Sequence, residues 1–477
     1  MTADDVTGGV TGLEVELDAL RAAAVALADV AAELVAVAAE CGRGCLDDEL
    51  ADSALLDPVG AARAAASVAA ALAGPRGLGA VAVEVEVHAA RLALAVARYV
   101  VVERATATAT ALRREVQGHL LVAGAPALLG AGALWWAAAD AAGADPVEEL
   151  SEAVAAHPGL VDELVGSLPS ALRTTAALVL GPLGLAVDGA VRARTGQTVL
   201  PRSLEQAAGA AGLLYAAGQP AVVRAGSLPA DAPADVGDLI AGLTVADELV
   251  RAGGPSALVV ATSVVRGRDG EPRTSHVVHL PGTHHWQVDP RDRAALDDLA
   301  TNLELMAGEQ SARVDSVRFA LRAAGVDDGE PVMLVGHSQG GMVAVRAAAA
   351  LGDEFRVTHV VTAGSPVSRM PLADGVSVLS LENRQDVVPR LDGGPNAPLA
   401  DHVTVLFDAP APTLAGEHEL HAAYLPAAER LADSAHPALL AWDDGAQAFL
   451  LDDAERRAGT TATVTARVYR VTNADPP

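Results

Sequence analysis

The sequence has no lysine. All 33 of its basic residues are arginine, against 61 acidic ones, giving a formal net charge of −28 over 477 residues. A polyanion would be repelled by such a chain, which argues against nucleic acid as a partner and against electrostatic docking on anionic membranes. Aromatics are scarce, at 3%, although hydrophobic residues reach 51%, much of it alanine and valine. Only two cysteines occur, Cys41 and Cys45 in CGRGC. No second pair exists to complete a zinc site with them; reduced thiols or a local disulfide remain, and two cysteines do not fix a redox compartment. The opening MTADDVTGG lacks a basic segment followed by an apolar one. The expected location is therefore the cytoplasm, or outside it by a route without a Sec signal. Long apolar runs are also few. Residues 120–139, LLVAGAPALLGAGALWWAAA, have the length of a membrane span, but they are mostly Ala and Gly with Pro126 inside, and read as part of a helical domain.

A chain this long exceeds one ordinary core, so two or three domains are expected. The boundaries read as 1–118 for a helical hairpin, 119–250 for further helices and a linker, and 251–477 for a domain of another kind. In 12–40, Leu13, Leu17, Leu20, Ala24, Leu27, Val30, Leu34 and Val37 recur at three- and four-residue steps, which predicts an amphipathic helix. Gly42 and Gly44 end it. Helices follow over about 58–73 and 80–117, separated by Gly74-Pro75-Arg76-Gly77. Asp145 before Pro146 predicts another helix start, and the Pro-, Ala- and Asp-rich stretch 222–238 reads as a linker. The long hairpin resembles the small helical proteins and N-terminal domains exported by type VII (ESX) secretion systems. Gly42-Arg43-Gly44 stands where that family's turn carries Trp-x-Gly, and Tyr99 with Glu103 matches its Tyr-x-x-x-Asp/Glu export pattern. The resemblance implies a helical protein partner for residues 1–118 and export by that route. The same Tyr99–Glu103 spacing is also that of a simple i,i+4 pair on a helix face. The arginine-only, alanine-rich composition resembles that of proteins from GC-rich genomes such as an actinobacterium's.

From about residue 255 the pattern changes. Residues 256–265 and 274–280 read as a hairpin, then strands at 331–336, 357–363, 376–381 and 402–407 alternate with helices at 310–324, 341–352 and 419–433, and 461–471 reads as an added edge strand. Alternation of this kind predicts an α/β fold with a mostly parallel sheet and helices on both faces. At its centre, Val332 to Val335 run into Gly336-His337-Ser338-Gln339-Gly340 and then an alanine-rich helix. Strand, sharp turn and helix with a serine at the apex form a nucleophile elbow, whose crowded turn calls for small residues such as Gly336 and Gly340. A serine hydroxyl needs a base, the base needs a carboxylate to hold its tautomer, and the developing oxyanion needs N–H donors. Asp386 is the expected acid, after the 376–381 strand, with Asp392 and Glu382 as rivals. His418 is the expected base, with His421 as alternative; the order Ser, Asp, His is that of the α/β-hydrolases. The loop Leu280-Pro281-Gly282-Thr283 and the Gln339 N–H are expected to bind the oxyanion. His284, His285 and Trp286 crowd the same loop. No carboxylate or cysteine is spaced to complete a metal site with them, so His284 and Trp286 are expected to line a substrate cleft. Residues 284–309, with Asn302-Leu303-Glu304-Leu305-Met306, read as a candidate lid.

Residues 255–450 resemble the α/β-hydrolase superfamily. The set PGT, GHSQGG, TAGSPVSRM and NRQDVVP is similar to the class 3 lipases. The resemblance implies Ser338 as nucleophile, Asp386 as acid in an Asn-x-x-Asp-x-Val-Pro context, Thr283 at the oxyanion hole and Gly364-Ser365-Pro366 at a strand end. It implies hydrolysis of a carboxylic ester, often a lipid, without a cofactor. The family's histidine does not map to one residue, so His418 and His421 both stand. Thioesterase, peptidase or acyltransferase chemistry would use the same residues, and a binding protein with an idle hydrolase core is the alternative from another class.

Overall fold

The computed structural model describes residues 6–9, 13–44, 56–141, 165–167, 169–171, 205–206, 208–209, 215, 218–252, 254–266, 272–285, 294–451, 455, 457 and 459–474. They divide into two units: residues 13–111, and residues 1–12 together with 112–477.

The first unit is helical: α1 (Leu13–Gly44), α2 (Pro58–Ala73) and α3 (Leu78–Ala141), which continues past the unit's end. Asp57 caps α2, accepting the Gly60 N–H at 3.0 Å, with Pro58 in the first turn where no N–H is needed. Helix α1 buries Ala24 and Ala31 and half-buries Leu17, Leu27, Leu34 and Ala38. That stripe has the strict 3.5-residue repeat of a coiled-coil seam. The expected stripe is correct only in part: Leu20, Val30 and Val37 are exposed. Small residues let the helices approach, and Ala82, Ala89 and Val96 of α3 are buried likewise. A groove of about 720 Å³ remains, lined by Ala24 and Ala28 of α1 and Ala89, Ala93 and Val96 of α3. Tyr99 bonds Glu103 one turn on, which raises its pKa. Cys41 is an exposed free thiol, and Cys45 lies outside the described residues. The run 120–139 is continuous helix within α3. By length and composition, the helix long and apolar enough to cross a membrane among the described residues is Glu16–Arg43.

The second unit is built on a sheet of nine strands among the described residues. These are β1 (Val6–Gly8), β2 (Pro220–Leu228), β3 (Ala257–Arg266), β4 (Arg273–Leu280), β5 (Pro331–His337), β6 (Arg356–Ala363), β7 (Ser377–Asn383), β8 (His402–Phe407) and β9 (Thr461–Asn473), in the order β1-β8-β7-β6-β5-β4-β3-β9-β2. Strands β4 to β8 are parallel, and β1, β3, β9 and β2 join antiparallel. This is the expected α/β architecture. Helices cover both faces: α5 (Leu299–Ala307), α6 (Ala312–Ala324) and α7 (Gln339–Leu351) on one, α4 (Val236–Arg251), α9 (Leu425–Glu429) and α10 (Pro437–Ala446) on the other. Strand β5 shows why its sequence is apolar without alternation. Val332 and Leu334 enter one core, Met333 and Val335 the other.

Two boundaries differ from the sequence reading. The stretch 222–238 is not a linker: it holds most of β2, paired with β9 from Pro220↔Asn473 onward, and the start of α4. Strand β2 is an edge strand with an exposed face and a bulge between Arg224 and Gly226, so it lacks the apolar alternation that marks a strand. Helix α4 buries Leu239, Ile240 and Leu243 completely or nearly so. Residues 6–8, assigned to the helical domain, pair with β8. A short helix, α8 (Leu414–Glu417), precedes the expected 419–433 helix, which is helical from Leu420 to Asp433 but not regular: a wide π-type turn over Leu420–Tyr424, then α9, then a tight 3-10 turn over Arg430–Asp433, with Pro426 lacking the N–H that a regular ladder would use. The helix expected at Pro146 lies outside the described residues.

Candidate active site

All the candidate groups lie at the carboxyl edge of the parallel strands. Ser338 follows β5, the 281–285 loop follows β4, Asp386 follows β7, and His418 follows β8 by way of α8. Ser338 has φ 53° and ψ −120°, and is the one residue other than glycine with positive φ among those described. An L-residue held there is strained, and the strain persists because the surroundings fix the turn. A Cβ on Gly340 would lie 1.9 Å from the Leu280 carbonyl oxygen, and one on Gly336 would lie 2.2 Å from the Gly340 backbone. Strand β5, helix α7 and the end of β4 therefore meet backbone to backbone, which only glycine permits.

Asp386 is fully buried and fully used. Its Oδ2 accepts from His418 Nδ1 at 2.6 Å and from the Tyr424 hydroxyl at 2.5 Å; its Oδ1 accepts the Val388 N–H at 2.9 Å. Burial, with Asp386 beside it, holds the Tyr424 phenol well above its ordinary range, so it stays a donor. The bond to Asp386 leaves His418 Nε2 as the ring's free nitrogen, and His418 and Ser338 line one cavity of about 540 Å³. Asn383, at the end of β7, donates to Ala409 O at 3.0 Å and Glu417 O at 2.8 Å, and accepts the Ala409 N–H at 3.0 Å. It fastens the loop that carries His418. His421 lies exposed on the wide turn and is not part of this arrangement. The rival acids are elsewhere engaged. Glu382 accepts from Asn396 at 2.6 Å, and burial with Asp392 nearby pushes it up to about 8. Asp392 accepts the Ser368 N–H at 2.6 Å and is pushed up to about 6 by burial.

The oxyanion side is fixed by amides. Gln339 spends its side chain on Asp298 O at 2.8 Å and Asn302 Oδ1 at 3.0 Å, and Asn302 Nδ2 donates to Thr283 Oγ1 at 3.1 Å. The Gln339 N–H, first of helix α7, and the Thr283 N–H have no partner among the described residues. Gly282 packs on the elbow: a Cβ there would come within 3.1 Å of Ser338 Cβ. The loop is further tied down by His284 and His285 N–H bonds to Asp297 O at 3.3 and 3.2 Å, and by His285 Nδ1 on Asp297 Oδ1 at 2.7 Å, where Ser256 also donates.

His284 lines the cavity, and Trp286 lies outside the described residues. His284 Nε2 bonds Asp247 of α4 at 2.9 Å. Burial alone would raise Asp247, but the bonds from His284 and from Arg251 at 2.5 Å bring it below the usual carboxylate range. Arg251 reaches Glu419 at 3.2 Å, and all four side chains line the cavity opposite Val387, Val388, Leu414 and Ala415 in chemical character. Tyr424, Asp247, Arg251 and Asn302 were not legible as site residues, since none stands in a motif. The lid reading of 284–309 does not hold for its described part: Leu296 and Leu305 are core residues and Arg346 grips Leu305 O. No cluster of three or more His, Cys, Asp or Glu able to hold a metal occurs among the described residues.

The chain matches no family model, no curated protein and no solved structure.

Proposed function

We propose that the protein is a serine hydrolase of the α/β-hydrolase type that cleaves carboxylic esters, with an acyl ester or lipid as substrate. The observation that carries this reading is that one strained serine and a histidine bonded to a buried aspartate line one cavity. Ser338 Oγ attacks the acyl carbon while His418 Nε2 takes its proton. Asp386 holds the imidazolium through Nδ1–H. The oxyanion accepts from the N–H groups of Gln339 and Thr283, a contribution of about 3–4 kcal/mol per donor. His418 then gives its proton to the departing alcohol oxygen as the C–O bond breaks, leaving an acyl-serine. Water, deprotonated by His418, attacks that ester; the acid leaves and Ser338 regains its proton. Every proton is returned, and no cofactor takes part in these steps.

The test is turnover of a chain-length series of p-nitrophenyl esters and the matching thioesters, with fluorophosphonate labelling in parallel. Wild type should label and turn over. Ser338→Ala and His418→Ala should each lose about 10³-fold or more in kcat, while His421→Ala should be unchanged. A preference for thioesters would move the assignment to thioesterase chemistry; no labelling and no turnover would end it. The exposed Leu20, Val25, Val30, Val35 and Val37 on α1 favour a second reading, in which residues 1–118 bind a helical protein partner. A stable complex through that segment, from a chain with an intact triad and no acyl turnover, would replace the enzymatic reading with it.

A further inference from the structure

His337 takes no part in the proton transfers just described, yet it packs directly on the base. Its Nε2 lies 3.0 Å from the His418 carbonyl oxygen. A carbonyl only accepts, so Nε2 carries the hydrogen and donates. Its ring stacks on the His418 ring, with centroids 4.5 Å apart and planes 29° apart. It also meets Tyr424 edge-on at 5.8 Å, the same tyrosine that donates to Asp386. The bond from His418 Nδ1 to Asp386 fixes one atom of the imidazole. It does not fix the tilt of the ring about that bond, nor the height of the backbone from which the ring hangs.

We propose that His337 is a positioning residue for the general base: its Nε2–H bond to the His418 carbonyl and its stacked ring set the height and tilt of His418 over Ser338. The proposal rests on the serine-hydrolase reading. The titratable groups that face His337 are His418 and Tyr424 behind the elbow and Asp247 and His284 across the cavity. Burial, then the nearby His418, hold His337 down to about 3. It is therefore neutral at working pH, keeps its donor, and sets no second charge against the imidazolium that forms during the reaction. Sequence position gives it this role: it is the last residue of β5, next to Ser338, and its ring meets the loop after β8 that carries His418.

The experiment compares the full-length wild type with His337→Phe, which keeps a stacked ring and loses the donor, and His337→Gln, whose amide reaches about as far as Nε2. His337→Leu, which also lacks the donor, takes the place of His337→Phe if the latter does not fold. Three readouts are taken: kcat and KM on a p-nitrophenyl ester, the rate of fluorophosphonate labelling, and the far-downfield proton signal of His418 Nδ1–H on Asp386. For the donor-less variant, kcat and labelling rate should fall by about tenfold to a hundredfold, with KM within about twofold. The Nδ1–H signal should broaden or vanish. His337→Gln should recover most of the rate and keep the signal. Wild-type rates with the signal intact in the donor-less variant would overturn the proposal, as would equal losses in it and in His337→Gln. If the wild type neither labels nor turns over, the hydrolase reading fails, and the proton signal still decides whether His337 positions His418.

Discussion

Tyr424 and Asp386 show how much of this site is set by single hydrogen bonds. Asp386 Oδ2 serves both His418 and Tyr424. The two donors together hold the carboxylate in place behind the imidazole. On the serine-hydrolase reading, Tyr424→Phe should lower kcat by roughly tenfold, about what one hydrogen bond to a charged group is worth, with the fold retained by circular dichroism. An unchanged kcat would mean the phenol only fills space. Asp392 offers a separate test, because it is buried with its Oδ1 unpartnered and is pushed up to about 6. The folded chain holds that proton up to about pH 6, while an unfolded chain releases it near pH 4, so folding stability falls as pH rises between the two. Asp392→Asn keeps the acceptor for the Ser368 N–H. Urea unfolding should show the variant more stable than wild type by roughly 1–3 kcal/mol at pH 7, with little difference at pH 4 or below. Equal gains at both pH values would put the effect down to packing.

At the scale of elements, the elbow depends on how closely β4, β5 and α7 can approach. A Cβ on Gly340 would stand 1.9 Å from the Leu280 carbonyl oxygen, a backbone atom that cannot swing aside. Gly340→Ala should cost about 3 kcal/mol or more and abolish fluorophosphonate labelling, because the helix can only relieve the clash by moving Ser338 and the Gln339 N–H with it. A thermal melt and a labelling assay check both halves; normal labelling in a folded variant would show that the turn tolerates more space than its backbone contacts imply. The π-type turn at Leu420–Tyr424 has a comparable role. By widening the chain between α8 and α9 it puts Tyr424 behind Asp386 while His418 stays in front of it. A regular α-helix over the same residues would place successive side chains by a fixed 100° turn, and Pro426 lacks the N–H that its ladder would use.

At the scale of the whole molecule, charge dominates. With 61 acidic against 33 basic residues, the folded chain concentrates a net −28 that the unfolded chain spreads over a larger volume. Added salt screens this repulsion over a Debye length that shrinks from about 30 Å at 0.01 M to about 10 Å at 0.1 M. Raising sodium chloride from 10 to 300 mM at pH 7 should therefore raise the thermal midpoint by a few degrees, about what 1 kcal/mol is worth in a domain of this size. A midpoint that falls with salt would mean that local ion pairs, such as Arg318 with Asp315 and Glu354, outweigh the global repulsion. The sheet closes at this scale too. Its edges are held by β1, from the start of the chain, and by β2, more than 200 residues later.

Sequence by itself determined the parts of this protein whose signals are local. Apolar runs alternating with helical periods define a parallel sheet, and β4 to β8 lie where those runs predict; β9 also lies where its run predicts, but it was expected at an edge and is instead an interior strand between β3 and β2. Glycines flanking Ser338 define the elbow, because only a residue without a Cβ fits between two backbones. Asp386 was readable as the residue after a core strand in Asn-x-x-Asp. The tertiary structure decided what no local signal carries. It put His418 and not His421 on Asp386, since two histidines three residues apart look alike until one of them meets a partner. It turned the supposed linker into β2 and α4: an exposed edge strand needs no apolar alternation, and its partner β9 is remote in the chain. It also brought Asp247 and Arg251 to the cavity, and Tyr424 onto Asp386, from helices whose faces are dictated by packing and not by chemistry. Local backbone propensity is written in neighbouring residues; which side chains converge on one serine depends on contacts between residues far apart in sequence.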